Sequence, residues 1–396
     1  MKIKFVLILF FITLLAFGCS KEKKTEKPEW RGKIDYENGV KVVKNPEGPV
    51  YGEIIFDLEE DLSIGNESDE NYMFYRTGAI ATDSQGNIYI VDSGNNRIQK
   101  FRNDGQYLQT IGRKGQGPGE FESPYDIWLD SEENIHISEG MKIQIFNKDG
   151  EFIKSVKLIN FITEFGITEE ENILACGFGR SEEGQTRELI LFSSAGEKLE
   201  TIVIFPSPMR IVRRGNSGFG LTHDYSPDLI FCPIDEKSGI YGHAMEYRLF
   251  VIRSSGEVSF IIEKSEAPQS IARKEKDKIV KDIIDSQEER GTPWPKGVVE
   301  EGANFAKYRP FYNRILIDDN GNIYVRKLKS VFDEEKSEEF DIFNPEGYYL
   351  YKTKLPFIPH IIEAGYIYHI HTDEGTGEIR LVRYMVKNWD AFKKQG

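Results

Sequence analysis

Three histidines supply the side chains from which a metal site could be built. His369 and His371 stand two positions apart in a strand-like run, so both imidazoles would point to the same side. His223 would add a third nitrogen ligand, and Asp373 would add a carboxylate. The chain contains neither HExxH nor a paired Cys/His spacing. Two interpretations therefore stand side by side, a Zn²⁺ or Ca²⁺ site and a purely structural role for the histidines.

A further set of polar residues recurs at equivalent positions of a repeated strand pattern. The second strands of the repeats end near Asp92, Glu139, Gly177, His223, Lys327 and His371. The first strands begin near Arg76, Asp126 and Arg309. Strands that converge on one axis would gather these side chains at the mouth of a channel, where mixed charge suits a polar or charged ligand. The predicted ligand-binding residues are Arg76, Asp92, Asp126, Glu139, His223, Arg309, Lys327 and His371; the alternative is a merely solvated channel.

Other segments that resemble catalytic motifs lack an essential part. Gly115–Gly119 (GQGPG) has no GK[ST] ending and no helix follows it, so it predicts a turn that leads to Pro124 and the next strand. Ser217 is not flanked as in GxSxG. No arrangement of Ser, His and Asp indicates a triad, and the sequence therefore predicts no catalytic residue.

The elements that would position these residues are repeats of four short strands. Residues 79–112 contain four alternating apolar runs, separated by the turn signals DSQGN and NDG. A length of about 34 residues is typical of one propeller blade. The last turn of the unit returns at Gly105, Gly150, Gly196, Gly256 and Gly347. A sixth copy begins at Ile361 and ends one strand short.

This count predicts an all-β fold, a six-bladed β-propeller with four-stranded antiparallel blades. Tyr51–Leu58 is an unpaired strand-like run ahead of the first repeat, so we expect this N-terminal strand to complete the last blade. A seventh blade would have to lie within the long insertions. One insertion, at residues 268–290, is predicted to form a short helix, because Ile271, Ile279 and Ile283 recur at multiples of four.

Three segments resemble the NHL repeat: Gly86–Tyr89 (GNIY), Asp92–Ile98 (DSGNNRI) and Gly115–Phe121 (GQGPGEF). The chain as a whole is similar to six-bladed β-propeller lipoproteins found in many bacteria. The resemblance implies the fold and leaves the function open, since propellers host many unrelated sites. Some propeller enzymes, such as amidating lyases and lactonases, hold Zn²⁺ or Ca²⁺ on the axis. The resemblance therefore also allows a metal-dependent lyase or hydrolase.

Loop lengths distinguish the two faces of such a propeller. The turns between strands 1 and 2 and between strands 3 and 4 are short, and we expect them on one face. The segments expected on the other face are long: Gly177–Thr186, His223–Tyr247, Lys329–Glu339, His371–Glu378 and the link Glu263–Pro310. Because loops carry added function on a rigid scaffold, this long-loop face is the predicted working face. The helix in the link would be either a lid over the channel or a surface patch between blades 4 and 5.

The N-terminus resembles a bacterial lipoprotein signal. A basic start precedes the apolar run Phe5–Phe17, which is shorter than the about 20 residues of a membrane-spanning helix. The run leads into LAFGC, which is similar to a lipobox and ends at Cys19. The predicted organisation is a signal peptide over residues 1–18, a lipidated Cys19 with a flexible tether over residues 19–36, and the propeller over residues 37–396. Ser20 after the cysteine resembles the signal for outer-membrane sorting of bacterial lipoproteins. The alternative for the apolar run is an uncleaved anchor helix.

Composition limits the partners of this chain. Lys and Arg number 51 against 65 Asp and Glu, and the net charge of −14 argues against nucleic acid. Cys176 and Cys232 are predicted to be buried free thiols, the alternative being a disulfide. We predict a monomeric cell-envelope protein, lipid-anchored on the periplasmic side or at the surface, that binds a protein, peptide or glycan through the long-loop face. No cofactor is predicted for this binding protein. The alternative is a metal-dependent lyase or hydrolase with Ca²⁺ or Zn²⁺ on the channel axis.

Overall fold

The computed structural model describes residues 28–182, 184–214 and 217–393. In these ranges the chain forms 29 β-strands and three α-helices. None of these helices is both long enough and apolar enough to cross a membrane. The predicted signal peptide over residues 1–18, the lipidated Cys19 and the tether as far as residue 27 lie outside the described residues.

The first half of the chain supplies four N-terminal strands and three complete blades. The N-terminal strands are β1 (Lys33–Glu37), β2 (Val40–Asn45), β3 (Glu53–Ile54) and β4 (Leu58–Ile64). Blade 1 consists of β5 (Thr77–Thr82), β6 (Ile88–Asp92), β7 (Arg97–Phe101) and β8 (Tyr107–Ile111). Blade 2 consists of β9 (Asp126–Leu129), β10 (Ile135–Ser138), β11 (Lys142–Phe146) and β12 (Phe152–Lys157). Blade 3 consists of β13 (Phe161–Ile167), β14 (Ile173–Ser181), β15 (Gly184–Phe192) and β16 (Lys198–Pro206).

The second half adds three blades and two insertions. A hairpin of β17 (Arg210–Arg214) and β18 (Ser217–Leu221) precedes blade 4, which consists of β19 (Leu229–Asp235), β20 (Ser238–His243), β21 (Arg248–Arg253) and β22 (Val258–Lys264). The helices α1 (Arg273–Glu289) and α2 (Lys296–Gly302) precede blade 5, which consists of β23 (Tyr312–Ile317), β24 (Ile323–Lys327), β25 (Glu338–Phe343) and β26 (Tyr349–Leu355). Blade 6 contains β27 (Ile361–Glu363), β28 (Tyr366–Thr372) and β29 (Ile379–Val386), and α3 (Trp389–Lys393) follows it.

The first strand of each blade lies innermost, around a common axis. Strands pair in chain order within each blade, and the inner strands of successive blades are neighbours, from β5 and β9 through to β23 and β27. Apolar side chains fill the spaces between blades; Val91 and Ile98 of blade 1, for example, pack with Ile127 and Ile135 of blade 2. This arrangement confirms the predicted six-bladed propeller of four-stranded blades.

The ring closes as predicted, but with a different strand. Antiparallel pairing of β4 with β29 completes blade 6, whereas the sequence indicated Tyr51–Leu58. In β4, Leu62 and Ile64 pack into the blade core and alternate with polar residues, so the strand does not stand out as an apolar run. Part of the predicted strand instead forms β3, and Phe56 packs edge-on against Phe392 with ring centroids 5.6 Å apart.

The strands β1 to β4 form an N-terminal belt (residues 33–64) around the outer edges of three blades. The parallel pairing of β2 with β22 extends blade 4, and that of β3 with β26 extends blade 5. The buried Asn45 fastens the belt, because its Nδ2 donates to the carbonyl of Gly347 at 2.9 Å and its Oδ1 accepts from Tyr349 N at 2.9 Å. The strand β1 also occupies residues 33–36, which belong to the predicted tether, so the propeller-bound chain begins earlier than predicted.

Two of the predicted long loops are largely strands. The segment Gly177–Thr186 lies in the hairpin of β14 and β15, which are nine residues each. The segment His223–Tyr247 contains β19 and β20, the first two strands of blade 4. The prediction of a loop over His223–Tyr247 was wrong because blade 4 lacks the DxxGN turn that marks the first hairpin of other blades. Its first turn joins Asp235 to Ser238, next to an irregularity of the strand pairing that begins at Pro233.

Candidate functional site

The six inner strands surround a central cavity of about 830 Å³, which every blade lines. Each inner strand starts at the long-loop face, because the links between blades lead into it. The residues near these starts therefore surround one end of the cavity, which we call the channel mouth. They are Asp126, Glu164, Asp228, Asn313, Arg314 and His360, together with Arg187 from the third strand of blade 3.

Arg187 organises the side of the channel mouth formed by blades 3 and 4. Its Nε donates to Asp228 Oδ1 at 3.0 Å, its Nη1 donates to Thr163 Oγ1 at 2.9 Å, and its Nη2 lies 3.5 Å from Glu164 Oε2. The guanidinium also lies over the ring of Phe178, 4.7 Å from the centroid. The Arg187 side chain is only 4% exposed, so these contacts fix its position. Its single positive charge balances one of the two negative charges of Asp228 and Glu164.

Two neighbouring carboxyl groups of the channel mouth bind protons more tightly than usual. Burial and the charge of Glu164 raise the pKa of Asp126 to about 8. Burial also raises the pKa of Glu164, although Arg187 opposes this increase. At neutral pH Asp126 therefore carries its proton and can donate a hydrogen bond into the channel. Perturbed carboxyl groups in a cleft are typical of functional sites.

The proton on Asp126 should make stability depend on pH. Between the ordinary Asp pKa of 3.8 and about 8, the folded chain retains a proton that the unfolded chain releases. The contribution of this group to the free energy of unfolding therefore falls as the pH rises through that interval. We expect Asp126→Asn to remove this decline. Urea unfolding of both proteins across the interval measures it, and parallel pH profiles for the two would contradict the assignment.

Three predicted ligand-binding residues are instead engaged in ion pairs, two of them inside their own blades and one with the link that follows blade 4. Asp92 is fully buried and pairs with Arg97 Nε at 2.9 Å. Glu139 Oε2 accepts from Lys142 Nζ at 2.7 Å, and Lys327 pairs with Glu266. The second strands of the blades lie one strand further from the axis than the inner strands. Side chains at their ends therefore reach neighbouring loops before they reach the channel. Of the eight predicted residues, Asp126 is the one among the residues that line the cavity.

The remaining predicted residues lie in several different surroundings. His223 is not on the second strand of blade 4, because it precedes β19; its ring packs against Phe305 at 4.4 Å. Arg309 lies over the ring of Tyr225, 5.6 Å from the centroid. Arg76 is exposed and has a positive φ of 54°. The space beside Gly177, the ring position contributed by blade 3, is filled by the backbone of Phe161, so a Cβ there would lie 2.4 Å from its carbonyl oxygen.

The histidines of the metal hypothesis do not share a site. Rings of His369 and His371 are 6.2 Å apart, and His369 Nδ1 is hydrogen-bonded to the carbonyl of Ile358 at 3.0 Å. His223 Nδ1 accepts from Tyr225 N at 3.1 Å. No three His, Cys, Asp or Glu side chains are grouped for a metal ion within the described ranges. These residues therefore do not fit an axial Zn²⁺ or Ca²⁺ ion.

The helical insertion is anchored to the long-loop face. Glu275, on the first turn of α1, accepts from Tyr225 Oη at 2.8 Å, from Ser330 Oγ at 2.7 Å and from Ala272 N at 2.9 Å. Ile279 of the same helix packs with Tyr225. The insertion therefore connects the chain that enters blade 4 with a loop of blade 5, as the surface-patch interpretation expects. A cleft of about 470 Å³ separates α1 from the hairpin of β17 and β18.

An apolar patch that is not among the predicted site residues lies next to the channel mouth. Its members are Met141, Ile159 and Phe161, with exposed fractions of 51%, 72% and 47%. The loop of Met141 contacts the chain that precedes Ile159, because Leu158 N donates to Met141 O at 2.8 Å. Phe161 stacks on Tyr125 with centroids 6.1 Å apart, and Tyr125 lines the channel. The apolar patch is thus continuous with the site.

Comparison with known proteins identifies the family and the fold. A family model described as "Domain of unknown function (DUF4934)" matches residues 76–282. NHL repeat-containing protein 3 from Homo sapiens is 34% identical over 86 residues, which cover 20% of this chain and 25% of the human protein. The chain therefore spans about a quarter of the length of the curated relatives it matches. This similarity confirms the NHL-like character of the repeats.

Two solved structures share the architecture of the whole propeller. A putative exported protein from Bacteroides fragilis has a TM-score of 0.50 at 13% identity, covering 87% of this chain and 99% of that chain. A member of the DUF4221 family from Bacteroides vulgatus also has a TM-score of 0.50 at 13% identity, covering 83% of this chain and 97% of that chain. At such low identity these structures support the fold alone.

Proposed function

The chain belongs to the DUF4934 family, and from that premise we propose that it is a binding protein of the cell envelope. Its propeller recognises a protein, peptide or glycan through the long-loop face. The observation that carries the proposal is the apolar patch of Met141, Ile159 and Phe161, which adjoins the open channel mouth. Exposed apolar side chains grouped beside a polar cavity are typical of interaction sites, and aromatic residues and Met are enriched in interface cores.

The channel mouth supplies the polar groups of the proposed binding surface, next to the apolar patch. A ligand held against the apolar patch reaches Tyr125 and then Asp126, the protonated carboxyl group of the inner strand of blade 2. Glu164 and Asp228 add hydrogen-bond acceptors from the next two blades. A few convergent polar groups beside an apolar surface fix the orientation of a ligand and provide specificity.

The cell-envelope location rests on the first residues of the chain. The basic start, the apolar run Phe5–Phe17 and the LAFGC segment support cleavage before Cys19 and lipidation of that residue. Ser20 supports transfer to the outer membrane. We propose a monomer tethered through the residues before β1, with the net charge of −14 disfavouring nucleic acid.

Substitution of the apolar patch tests the proposed binding. We expect Ile159→Ser and Phe161→Ser to lower the apparent affinity for the physiological partner more than about tenfold, since truncation of interface anchors costs about 2 kcal/mol or more. Immobilised full-length protein would capture components of envelope extracts, and quantitative mass spectrometry of proteins and glycans would compare the variants. Thermal unfolding would check that each variant keeps its fold.

Leu199→Ser is the matched control for these two variants. Leu199 lies on β16 of the same propeller and is 53% exposed, close to the 47% of Phe161, but it is placed on an outer strand away from the channel mouth. Captured components that depend on the apolar patch should be retained by this control. If no component is lost selectively from the Ile159→Ser and Phe161→Ser proteins, the proposed function is wrong.

A further inference from the structure

The wall of the channel formed by blade 5 presents a positive charge that no described residue neutralises by contact. Arg314 lies on the inner strand β23 and lines the central cavity. Its side chain forms neither a hydrogen bond nor an ion pair with any residue in the described ranges. Arg187, the other arginine that lines this cavity, has Asp228, Thr163 and Glu164 as partners. Arg187 therefore has a structural role, whereas the N–H donors of Arg314 are available to a ligand in the channel.

Two neighbours of Arg314 also present hydrogen-bond donors. His360 Nδ1 accepts from Ile370 N at 3.3 Å, so the neutral ring carries its proton on Nε2. The ring is neutral because burial, with the charge of Arg314, lowers the pKa of His360 to about 3. Asn313 Oδ1 accepts from Arg326 at 3.2 Å, which leaves its amide N–H groups as donors. Guanidinium, imidazole and amide together form a donor set suited to an anion.

The opposite wall limits which anion can enter. Glu164 and Asp228 supply negative charge and acceptors on blades 3 and 4, and Arg187 balances only one of them. The charge of Glu164 also acts on Arg314 across the channel. A dianion such as phosphate would meet this repulsion, whereas one carboxylate balances the single charge of Arg314. The remainder of such a ligand would meet acceptors, so it should carry N–H or O–H groups next to its carboxylate.

We infer that the channel mouth binds the terminal carboxylate of a peptide, with Arg314 as its anchor and Asn313 and His360 as additional donors. This inference rests on the proposed function and names the ligand group that the site receives. A peptide C-terminus supplies a carboxylate, adjacent backbone N–H groups for Glu164 and Asp228, and apolar side chains for the surface formed by Tyr125 and Phe161. A sugar acid shares the carboxylate chemistry but lacks the apolar side chains.

An unpaired guanidinium also has a consequence for stability. Burial lowers the pKa of Arg314, which means that the folded protein disfavours its charged form. A side chain retained at a cost to folding is typical of a binding site. We expect Arg314→Gln to unfold at the same temperature as the parent protein or at a higher one. Arg187→Gln should unfold at a lower temperature, because it leaves Glu164 and Asp228 without their partner. A lower midpoint for Arg314→Gln would indicate a structural role and overturn the inference.

Ligand binding would be measured with defined probes on the full-length protein. The probes are short peptides with an apolar last residue and a free C-terminus, the same peptides as C-terminal amides, glucuronate, and inorganic phosphate. We expect the free peptides to raise the thermal midpoint and to show heat of binding by calorimetry. Amidation or the Arg314→Gln substitution should weaken binding more than about tenfold. Arg113→Gln, an arginine on an exposed interblade turn with 82% of its side chain accessible, should leave binding unchanged.

Each other outcome counts against the inference. Equal binding of free and amidated peptides, equal binding by the Arg314→Gln protein, or no response to any carboxylate would refute the role of Arg314. Binding of glucuronate in place of the free peptides would retain the carboxylate anchor but refute the peptide assignment. Preference for phosphate would refute the inference that the site selects a single carboxylate over a dianion.

The inference can fail while the proposed function stands. In that case Ile159→Ser and Phe161→Ser lose captured components, but the Arg314→Gln protein retains them and carboxylates have no effect. The reverse result, in which carboxylates bind through Arg314 and the apolar patch variants capture normally, would refute recognition through the apolar patch and leave a small-carboxylate site at the channel mouth.

Discussion

Replacement of Asp341 by Ala is expected to lower the free energy of unfolding by about 3 kcal/mol. Asp341 is fully buried in β25 of blade 5. It accepts from Tyr247 Oη at 2.6 Å, from Lys264 Nζ at 2.7 Å and from Tyr349 Oη. Tyr247 and Lys264 belong to blade 4, so this carboxylate joins two blades through a buried ion pair.

The size of this loss in the free energy of unfolding follows from the buried groups that lose their partner. The Lys264 side chain is 2% exposed, and removal of one partner from a buried ion pair usually costs about 3–5 kcal/mol. Glu266 Oε2, 2.7 Å from Lys264 Nζ, still compensates part of the charge, which places the expected loss at the lower end. The hydroxyls of Tyr247 and Tyr349 also lose their acceptor.

Urea unfolding measured by far-ultraviolet circular dichroism tests this prediction. Asp285→Ala is the control, because Asp285 pairs with Lys281 on the surface of α1, where both side chains are exposed. An exposed helical pair of this kind contributes about 0.5 kcal/mol or less. Similar losses for the two variants would show that the buried pair does not join blades 4 and 5 as described.

The second large effect is expected for Phe121→Ala, with a loss of about 3–5 kcal/mol. Phe121 is fully buried between blades 1 and 2, and its ring lies 5.6 Å from that of Phe146. It ends the GQGPGEF segment, which forms a turn between the blades: Phe121 N donates to Arg113 O at 2.7 Å, and Gly115 N donates to Phe121 O at 3.0 Å. Truncation would leave a cavity that these fixed strands cannot fill.

Leu108→Ala provides a comparison in the same region. Leu108 lies on β8 of blade 1 and is 39% exposed, so we expect a change within about 0.5 kcal/mol. Both variants would be measured by the same urea titration. A small loss for Phe121→Ala would mean that the turn can collapse onto the cavity, and it would contradict the fixed packing of Phe121 between blades 1 and 2.

The fold could be predicted because the repeat places turn signals where tight turns need them. Asp83, Asp130 and Asp318 each accept from the backbone N of the residue four positions later. This local chemistry is visible in the sequence as Asp followed by Asn at that spacing. Blade 4 departs from this pattern because Asp235 and Ser238 form a shorter turn. The prediction that His223 lies on its second strand is therefore wrong.

The candidate site could be predicted only in part. The long-loop face and Asp126 follow from strand order, but most of the other predicted positions are at the ends of second strands, which lie outside the channel lining. Whether the N–H groups of Arg314 are paired, and whether the ring of Phe161 is exposed, depends on which residues the folded chain brings near them. Such properties have no local signature, since an arginine that is paired and one that is free look alike in a sequence.

The N-terminal belt has a consequence for the order in which the chain can fold. Asn45 bonds with Gly347, 302 residues later, and Asp57 N bonds with the side chain of Asn388, 331 residues later. Contacts between such distant parts of a chain form slowly, because a long loop must close first. The belt is made first during synthesis, yet its binding edges on blades 4 to 6 are made last. A nascent chain therefore remains an open arc, and the ring closes only when the last blade has formed.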